Sequence, residues 1–203
     1  MNLDKAPYLS VLRNKNTSLK EYREATKQIT LLLAQEVGKL LETESYEIET
    51  PMGPCPATRY KSNPIIVPIL RAGLSMLSSF EIFFPQSPVG FVGIERNEET
   101  ALPNLYYCNL PYIRDGQEVV IIDPMLATGG SLKHTIELLK ERDCKEEQIL
   151  FAGIICSTEG RKNIESEFSK VRMAIATEDS QLNSQKYIVP GLGDFGDRYY
   201  GTE

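Results

Sequence analysis

The sequence contains no Gly-x-x-x-x-Gly-Lys, which excludes the commonest mononucleotide phosphate loop. Its four cysteines, Cys55, Cys108, Cys144 and Cys156, form no Cys-x-x-Cys pair, and His134 is the one histidine. Neither a zinc cluster nor a disulfide framework is expected, and a reducing cytoplasm is the expected home. His134 is expected to be structural or solvent-facing, without a catalytic role. No apolar run approaches a membrane span, and the first segment, with Asp4, Lys5 and Arg13, lacks the apolar core of a signal peptide. Basic charge is also short. The formal net charge is −6, whereas a non-specific nucleic-acid or anionic-membrane surface needs a basic excess. Any phosphate site must therefore be local.

What remains is the composition of an ordinary globular chain, 41% hydrophobic and 25% charged over 203 residues. That length suits one domain with a real core, expected to run over 1–203. The organising stretch is Val119 to Leu132. Val119 to Ile122 are four β-branched apolar residues without polar alternation, which predicts a strand buried on both faces of a parallel sheet. Asp123 then falls at the strand's carboxyl end, the edge at which open α/β sheets bind ligands. Pro124 has no N–H and is expected to end the ladder. Ala127-Thr-Gly-Gly-Ser131 leads into a helical pattern through Leu132, Ile136, Leu138 and Leu139. Two glycines allow close backbone approach, and Thr128 and Ser131 offer hydroxyls and a helix N-cap. Together with the positive helix end, this predicts an anion cradle.

Elsewhere, Ser18-Leu-Lys-Glu21 predicts a capping box opening a long amphipathic helix through Tyr22, Ala25, Ile29, Leu32, Leu33, Val37, Leu40 and Leu41. Lys5 to Asn16 is expected as an arm before it. Tyr46 to Lys61 predicts a strand, a turn and a second strand, an excursion from the main sheet. Ile65 to Leu70 is a second buried strand and delivers Arg71-Ala-Gly73 to its end, ahead of a helix from Gly73 to Phe84. A guanidinium there can grip pyrophosphate oxygens in a bidentate manner. Val89 to Ile94 is a third strand, and Arg96 follows it among acidic neighbours. Thr100 to Asp115 reads as a hairpin or lid loop carrying Tyr106, Tyr107 and Tyr112. Ile149 to Cys156 and Val171 to Ala176 are further strands, with a helix from Glu159 to Phe168 between them. Strands alternating with helices give an α/β class with a mostly parallel, helix-flanked sheet. Tyr187-Ile-Val-Pro-Gly-Leu-Gly-Asp-Phe-Gly-Asp-Arg198 is expected to be a shaped loop without regular structure, able to read a planar base with backbone groups.

The wording Asp123-Pro-Met-Leu-Ala-Thr-Gly-Gly-Ser131 resembles the 5-phosphoribosyl-1-diphosphate (PRPP) loop of the phosphoribosyltransferases, and of the uracil phosphoribosyltransferases in particular. Asn14-Lys-Asn-Thr17, Glu49-Thr-Pro51, Pro68 to Leu74, Arg96 with Glu98-Glu-Thr100, and Tyr187 to Asp197 extend the resemblance in the same order. The resemblance implies a C-terminal hood, 177–203, over the base, with an N-terminal arm and helix at 1–45. It implies that Arg71 and Arg96 meet the diphosphate, that Asp123 meets the ribose hydroxyls, and that the loop of Pro124, Met125, Leu126, Ala127, Thr128, Gly129, Gly130 and Ser131 holds PRPP. Ile188, Gly193, Asp194 and Phe195 match uracil-binding positions, Asp194 also facing PRPP, with Asp123, Arg71 and Asp194 as the catalytic set. Mg²⁺ is the implied cofactor, held mainly by substrate oxygens and water rather than by a protein metal site. A homodimer or homotetramer is expected, and a GTP effector is left open. Three positions depart from the family pattern: Phe195 stands for the usual alanine, Asn97 for a frequent aspartate, and Ala6-Pro7-Tyr8 for His-Pro-Leu. Two alternatives stand beside the implied conversion of uracil and PRPP to UMP: a PRPP-sensing nucleic-acid-binding regulator, and a phosphoribosyltransferase for another base.

Overall fold

The computed structural model describes residues 4–96 and 103–202. Helix α1 (Ala6–Arg13) occupies the segment expected as an arm. Pro7 suits the first helical turn, and Leu12 is fully buried, so this segment has a core side chain to fix it. Helix α2 (Leu19–Leu40) opens on the expected capping box, in which the Glu21 N–H donates to Ser18 Oγ and the Ser18 N–H donates to the Glu21 carboxylate at 3.1 Å. Tyr22, Ala25, Ile29, Leu33 and Val37 form its buried stripe, while Leu32 is half-buried and Leu40 exposed.

Strands β1 (Thr43–Thr50) and β2 (Gly53–Tyr60) pair antiparallel as a separate two-stranded sheet, the expected excursion. Strand β3 (Ile65–Leu70) returns to the core and turns through Arg71-Ala-Gly73 into α3 (Leu74–Phe83). A Cβ on Gly73 would collide with the Ile122 carbonyl oxygen, so this close packing of turn against strand admits only glycine. Strands β4 (Phe91–Arg96) and β5 (Pro103–Asn109) are antiparallel. The Arg96 side chain and 97–102, including Asn97 and part of the predicted lid, lie outside the described residues.

Strand β6 (Val119–Ile122) has the predicted bounds. Pro124, however, interrupts the ladder without ending it. Strand β7 (Met125–Leu126) follows and pairs with β8 (Ile149–Ser157) at Met125↔Ile155, the same offset that pairs Ile122 with Ala152. The Pro124 carbonyl accepts from the N–H groups of Ile154 and Ile155 at 3.0 and 2.9 Å, which keeps the two strands in step across the missing donor. Helix α4 (Gly130–Lys140) leads away from the cradle. Beyond β8 come α5 (Thr158–Glu167), β9 (Arg172–Asp179), the small hairpin of β10 (Gln181–Leu182) with β11 (Ile188–Val189), and α6 (Phe195–Tyr200). The tail therefore contains a strand and a helix where an irregular loop was expected, because Asp194 caps α6 by accepting from the Asp197 N–H at 3.0 Å.

Among the described residues the main sheet runs β5-β4-β3-β6-β8, with β9 pairing on β8 and β7 continuing the line of β6. All of its pairings are parallel except β4 with β5. Val120 and Ile122 face a core shared with α1, α2 and α3, and Val119 and Ile121 face one shared with α4 and α5. Both faces are dry, and so the strand shows no polar alternation.

Phe195 is 1% exposed and packs on Tyr22 with ring centroids 5.4 Å apart and on Tyr199 at 5.8 Å. Phe195, which departs from the family's usual alanine, lines the cleft while its side chain enters the core beside α2. Phe195→Ala is accordingly expected to lower unfolding stability by about 3–5 kcal/mol. Chemical denaturation would read this as a shifted midpoint, and a loss under 1 kcal/mol would contradict the packing described.

Candidate functional site

The parallel register brings the carboxyl ends of β3 and β6 side by side, with Pro68 opposite Ile122. Arg71 and Asp123 leave these two strand ends and line one cleft of about 650 Å³, together with Glu95, Tyr106, Ser131 and Asp194. A smaller cavity of about 150 Å³ continues from Asp123, Met125 and Ser131 along Ala127 to Gly130, and Lys186 lines it too. The candidate residues from three distant stretches thus converge on one continuous surface. Pro124 and Leu126 are buried beneath it, the former with its carbonyl committed to the sheet.

The cradle takes its shape from Gly129, whose φ of 92° is left-handed and costs an ordinary residue roughly 1 kcal/mol or more. Gly129 is itself the N-cap of α4, and no side-chain cap forms, so the expected hydroxyl capping by Thr128 or Ser131 does not occur. The first N–H groups of α4 accordingly have no side-chain acceptor from the cap. Carbonyl oxygens of the loop are turned the other way. Ser157 Oγ donates to Ala127 O at 2.5 Å, and Asn163 Nδ2 donates to Thr128 O at 3.0 Å, so α5 withdraws two negative dipole ends from the cradle. Ser157 in turn caps α5, accepting from the Gly160 N–H at 2.8 Å. Such an arrangement favours an anion.

Asp123 accepts from the Met125 N–H at 3.4 Å, a weak bond. Burial of the carboxyl at the cleft floor pushes its pKa up to about 7, with the Met125 bond opposing the shift only in part. The cleft therefore holds an acid poised near neutrality, ready to be ionised by an approaching cation or hydroxyl donors.

The C-terminal segment is tied to the first helix. Arg13 donates through both terminal nitrogens to Asp179 at 2.7 Å and to the Gly191 carbonyl at 3.1 Å, while Asp179 accepts from the Gly191 N–H at 2.8 Å. The Arg13 bond holds the Asp179 carboxyl below its ordinary pKa. Arg198 donates to the carbonyls of Leu12, Leu192 and Asn14 and lies over the Tyr22 ring. Ile188 is buried in the core, and Gly193 takes a φ of 76° just before Asp194. Tyr200 Oη donates to the Arg71 carbonyl at 3.1 Å, joining the last helix to the turn after β3.

Tyr200, Lys186 and the Arg13–Asp179 pair were not anticipated, and their partners lie 27 to 166 positions away, beyond any local pattern. The tail does hold Gly191-Leu-Gly193-Asp-Phe-Gly196, the spacing of a dinucleotide-binding turn. It lies between a two-residue strand and a six-residue helix, so it does not open a βαβ unit and the spacing is incidental. His134 is half-buried with Nε2 unpartnered and takes no part in either cavity. All four cysteines are free, and burial pushes the Cys144 and Cys156 thiols up to about 11 and about 12, which keeps them unreactive. Among the described residues no three His, Cys, Asp or Glu side chains gather as a metal site, and no helix is long and apolar enough to cross a membrane.

Residues 6–202 match the uracil phosphoribosyltransferase family model. The chain is 40% identical over 196 residues to a uracil phosphoribosyltransferase of Clostridium botulinum, covering 96% of this chain and 93% of that protein. It is similar in structure to the AQ2163 protein from Aquifex aeolicus, with a TM-score of 0.88 and 35% identity over 100% of this chain and 99% of the other. A more distant likeness, to an adenine phosphoribosyl transferase from Trypanosoma brucei, has a TM-score of 0.55 at 14% identity over 79% and 67% of the two chains and speaks to the fold alone. A family match over nearly the whole length and a relative of that identity establish that this chain belongs to the uracil phosphoribosyltransferase family.

Proposed function

We propose that the cleft at Arg71, Asp123, Ser131 and Asp194 carries out the family's reaction, in which uracil and PRPP give UMP and pyrophosphate. One observation carries the residue assignments: these side chains, from three separate stretches, line a single cleft that runs on into the glycine-shaped cradle. The 5-phosphate sits in the cradle of Ala127 to Ser131. Asp123 accepts from the ribose hydroxyls, and Arg71, joined by Arg96, meets the diphosphate. The backbone around Gly193, Asp194 and Phe195 reads uracil. Phe195 supports this as backbone, since its ring is in the core.

As the uracil ring nitrogen attacks the anomeric carbon, the bond to pyrophosphate breaks and positive character develops on the ribose. Arg71 stabilises the departing charge, a role in which a single preorganised group contributes on the order of 3 kcal/mol. No dedicated general base is assigned, and the uracil proton leaves through the hood's hydrogen bonds and water. The donor set fits Mg²⁺ carried mainly by substrate oxygens and water, with the Asp123 carboxylate in the cleft beside them. When bound, the ion offsets the charge of the leaving diphosphate.

The 203 residues work as one catalytic unit, with 1–45 bracing it and 177–203 forming the hood. Exposed Tyr46, Ile48 and Tyr60, with Met52 at 96% exposure, give the β1–β2 hairpin an apolar surface that fits assembly as a homodimer or homotetramer. Free thiols fit a reducing cytoplasm. Steady-state turnover with uracil, hypoxanthine and orotate, run with and without Mg²⁺ and GTP, tests the reading. Uracil turnover dependent on Mg²⁺ is expected, GTP stimulation would identify it as an effector, and preference for either other base would overturn the substrate assignment.

Asp123 yields a pH prediction. A folded carboxyl titrating near 7 binds a proton that the unfolded chain releases near 4, so stability falls as pH rises from about 4 to about 7. Asp123→Asn should therefore raise the melting temperature of the unliganded protein at pH 8 while cutting turnover by about 10²–10³-fold. Substrate binding needs the carboxylate, so kcat/KM for PRPP should fall as pH drops below about 7. Unchanged activity in Asp123→Asn, or a flat profile down to pH 5.5, would refute the role.

A further inference from the structure

We infer that Lys186 is a substrate-binding residue, its ammonium closing over the 5-phosphate from the hood side. The inference rests on the cradle reading above and extends it to a side chain outside the loop. A phosphate dianion in the cradle would meet backbone N–H groups and two hydroxyls, and no Lys or Arg occurs between Asp123 and Leu132. Among the described residues lining the 150 Å³ cavity, Lys186 is the one cation, and Asp123 is the one acid.

The backbone around Lys186 is fixed. Asn183 Oδ1 accepts from the N–H groups of Gln185 and Tyr187 at 3.0 and 2.9 Å, the Lys186 N–H donates to Asn183 O, and the Asn183 N–H donates to Tyr187 O. This turn holds Lys186 at a φ of 65°, a left-handed conformation that a glycine adopts without strain and a lysine does not. A long cation thus stands where the turn itself would favour glycine, and it lines the cradle cavity. The ammonium rests 3.2 Å from Glu159, at the start of the helix that holds the Ala127 and Thr128 carbonyls back. The two partners are 45% and 47% exposed, so this pair is weak and readily exchanged. A phosphate replaces one half-solvated partner by two or three charge-assisted oxygens, which favours transfer of the ammonium to the ligand.

The test uses the full chain carrying Lys186→Gly, Lys186→Gln or Lys186→Arg, with ribose 5-phosphate and pyrophosphate as separate calorimetric probes and PRPP kinetics alongside. Lys186→Gly is expected to weaken ribose 5-phosphate binding and to raise KM for PRPP by about tenfold, leaving kcat within about twofold and pyrophosphate binding unchanged. The melting temperature should rise, because glycine relieves the left-handed backbone. Lys186→Gln should weaken binding similarly, and Lys186→Arg should restore it. The inference is overturned if Lys186→Gly and Lys186→Gln bind ribose 5-phosphate as the parent does while Thr128→Val loses it. Weaker binding of both probes with a lower melting temperature also overturns it, since that marks a structural role. If ribose 5-phosphate binding is indifferent to Thr128, Ser131 and Lys186 alike, the cradle reading falls and takes this inference with it.

Discussion

The need of every buried backbone N–H and C=O for a partner governs this molecule, because it locks the parallel strands into register and sets where each one ends. Val119 to Ile122 pair on both sides, with Ile65 to Pro68 and with Ile149 to Ala152, and both faces of the sheet are covered. The chains leaving β3 and β6 must then emerge together at the same edge, and Arg71 and Asp123 are the residues that emerge. Pro124 is a direct illustration. It removes a donor at the critical edge, yet β7 resumes at the same offset because the Pro124 carbonyl still takes two N–H groups from β8.

The acid at that edge is where stability and chemistry pull apart. A desolvated carboxylate held by one weak hydrogen bond opposes folding, and an amide side chain would cost the fold less. The cradle shows the same economy in charge. Within an acidic chain, the cradle favours an anion through orientation: α5 and its cap take the Ala127 and Thr128 carbonyls, and the helix N-terminus remains.

What could be read from the sequence was what is local or periodic. The bounds of β6, the capping box at Ser18, the β1–β2 excursion and the alternation of strands with helices all follow from spacing within a few residues. The resemblance carried the loop and the hood motif further than spacing alone. Missed features depend on partners far along the chain. Residues 6–13 read as an arm and form a helix because Leu12 finds the core, and the burial of Phe195 depends on Tyr22, which packs tilted against its ring. Capping by Gly129 was hidden for a different reason. Hydroxyls at Thr128 and Ser131 are the preferred cap types, and the left-handed turn that displaces them is a tertiary requirement. Lys186 was invisible because nothing in Asn183 to Tyr187 says which way its side chain will face.

The Arg13–Asp179–Gly191 and Arg198 contacts join segments more than 160 residues apart. During synthesis the first helix meets α2 early, through Leu12 beside Tyr22 and Lys5 beside Glu36, but its partners Asp179, Gly191 and Arg198 are made last. The clamp that joins the C-terminal segment to the first helix is therefore a contact of high sequence separation, the kind that forms late in folding. A chain cut before Asp179 would keep α1 against α2 but lose every charged contact that holds the C-terminal segment to it.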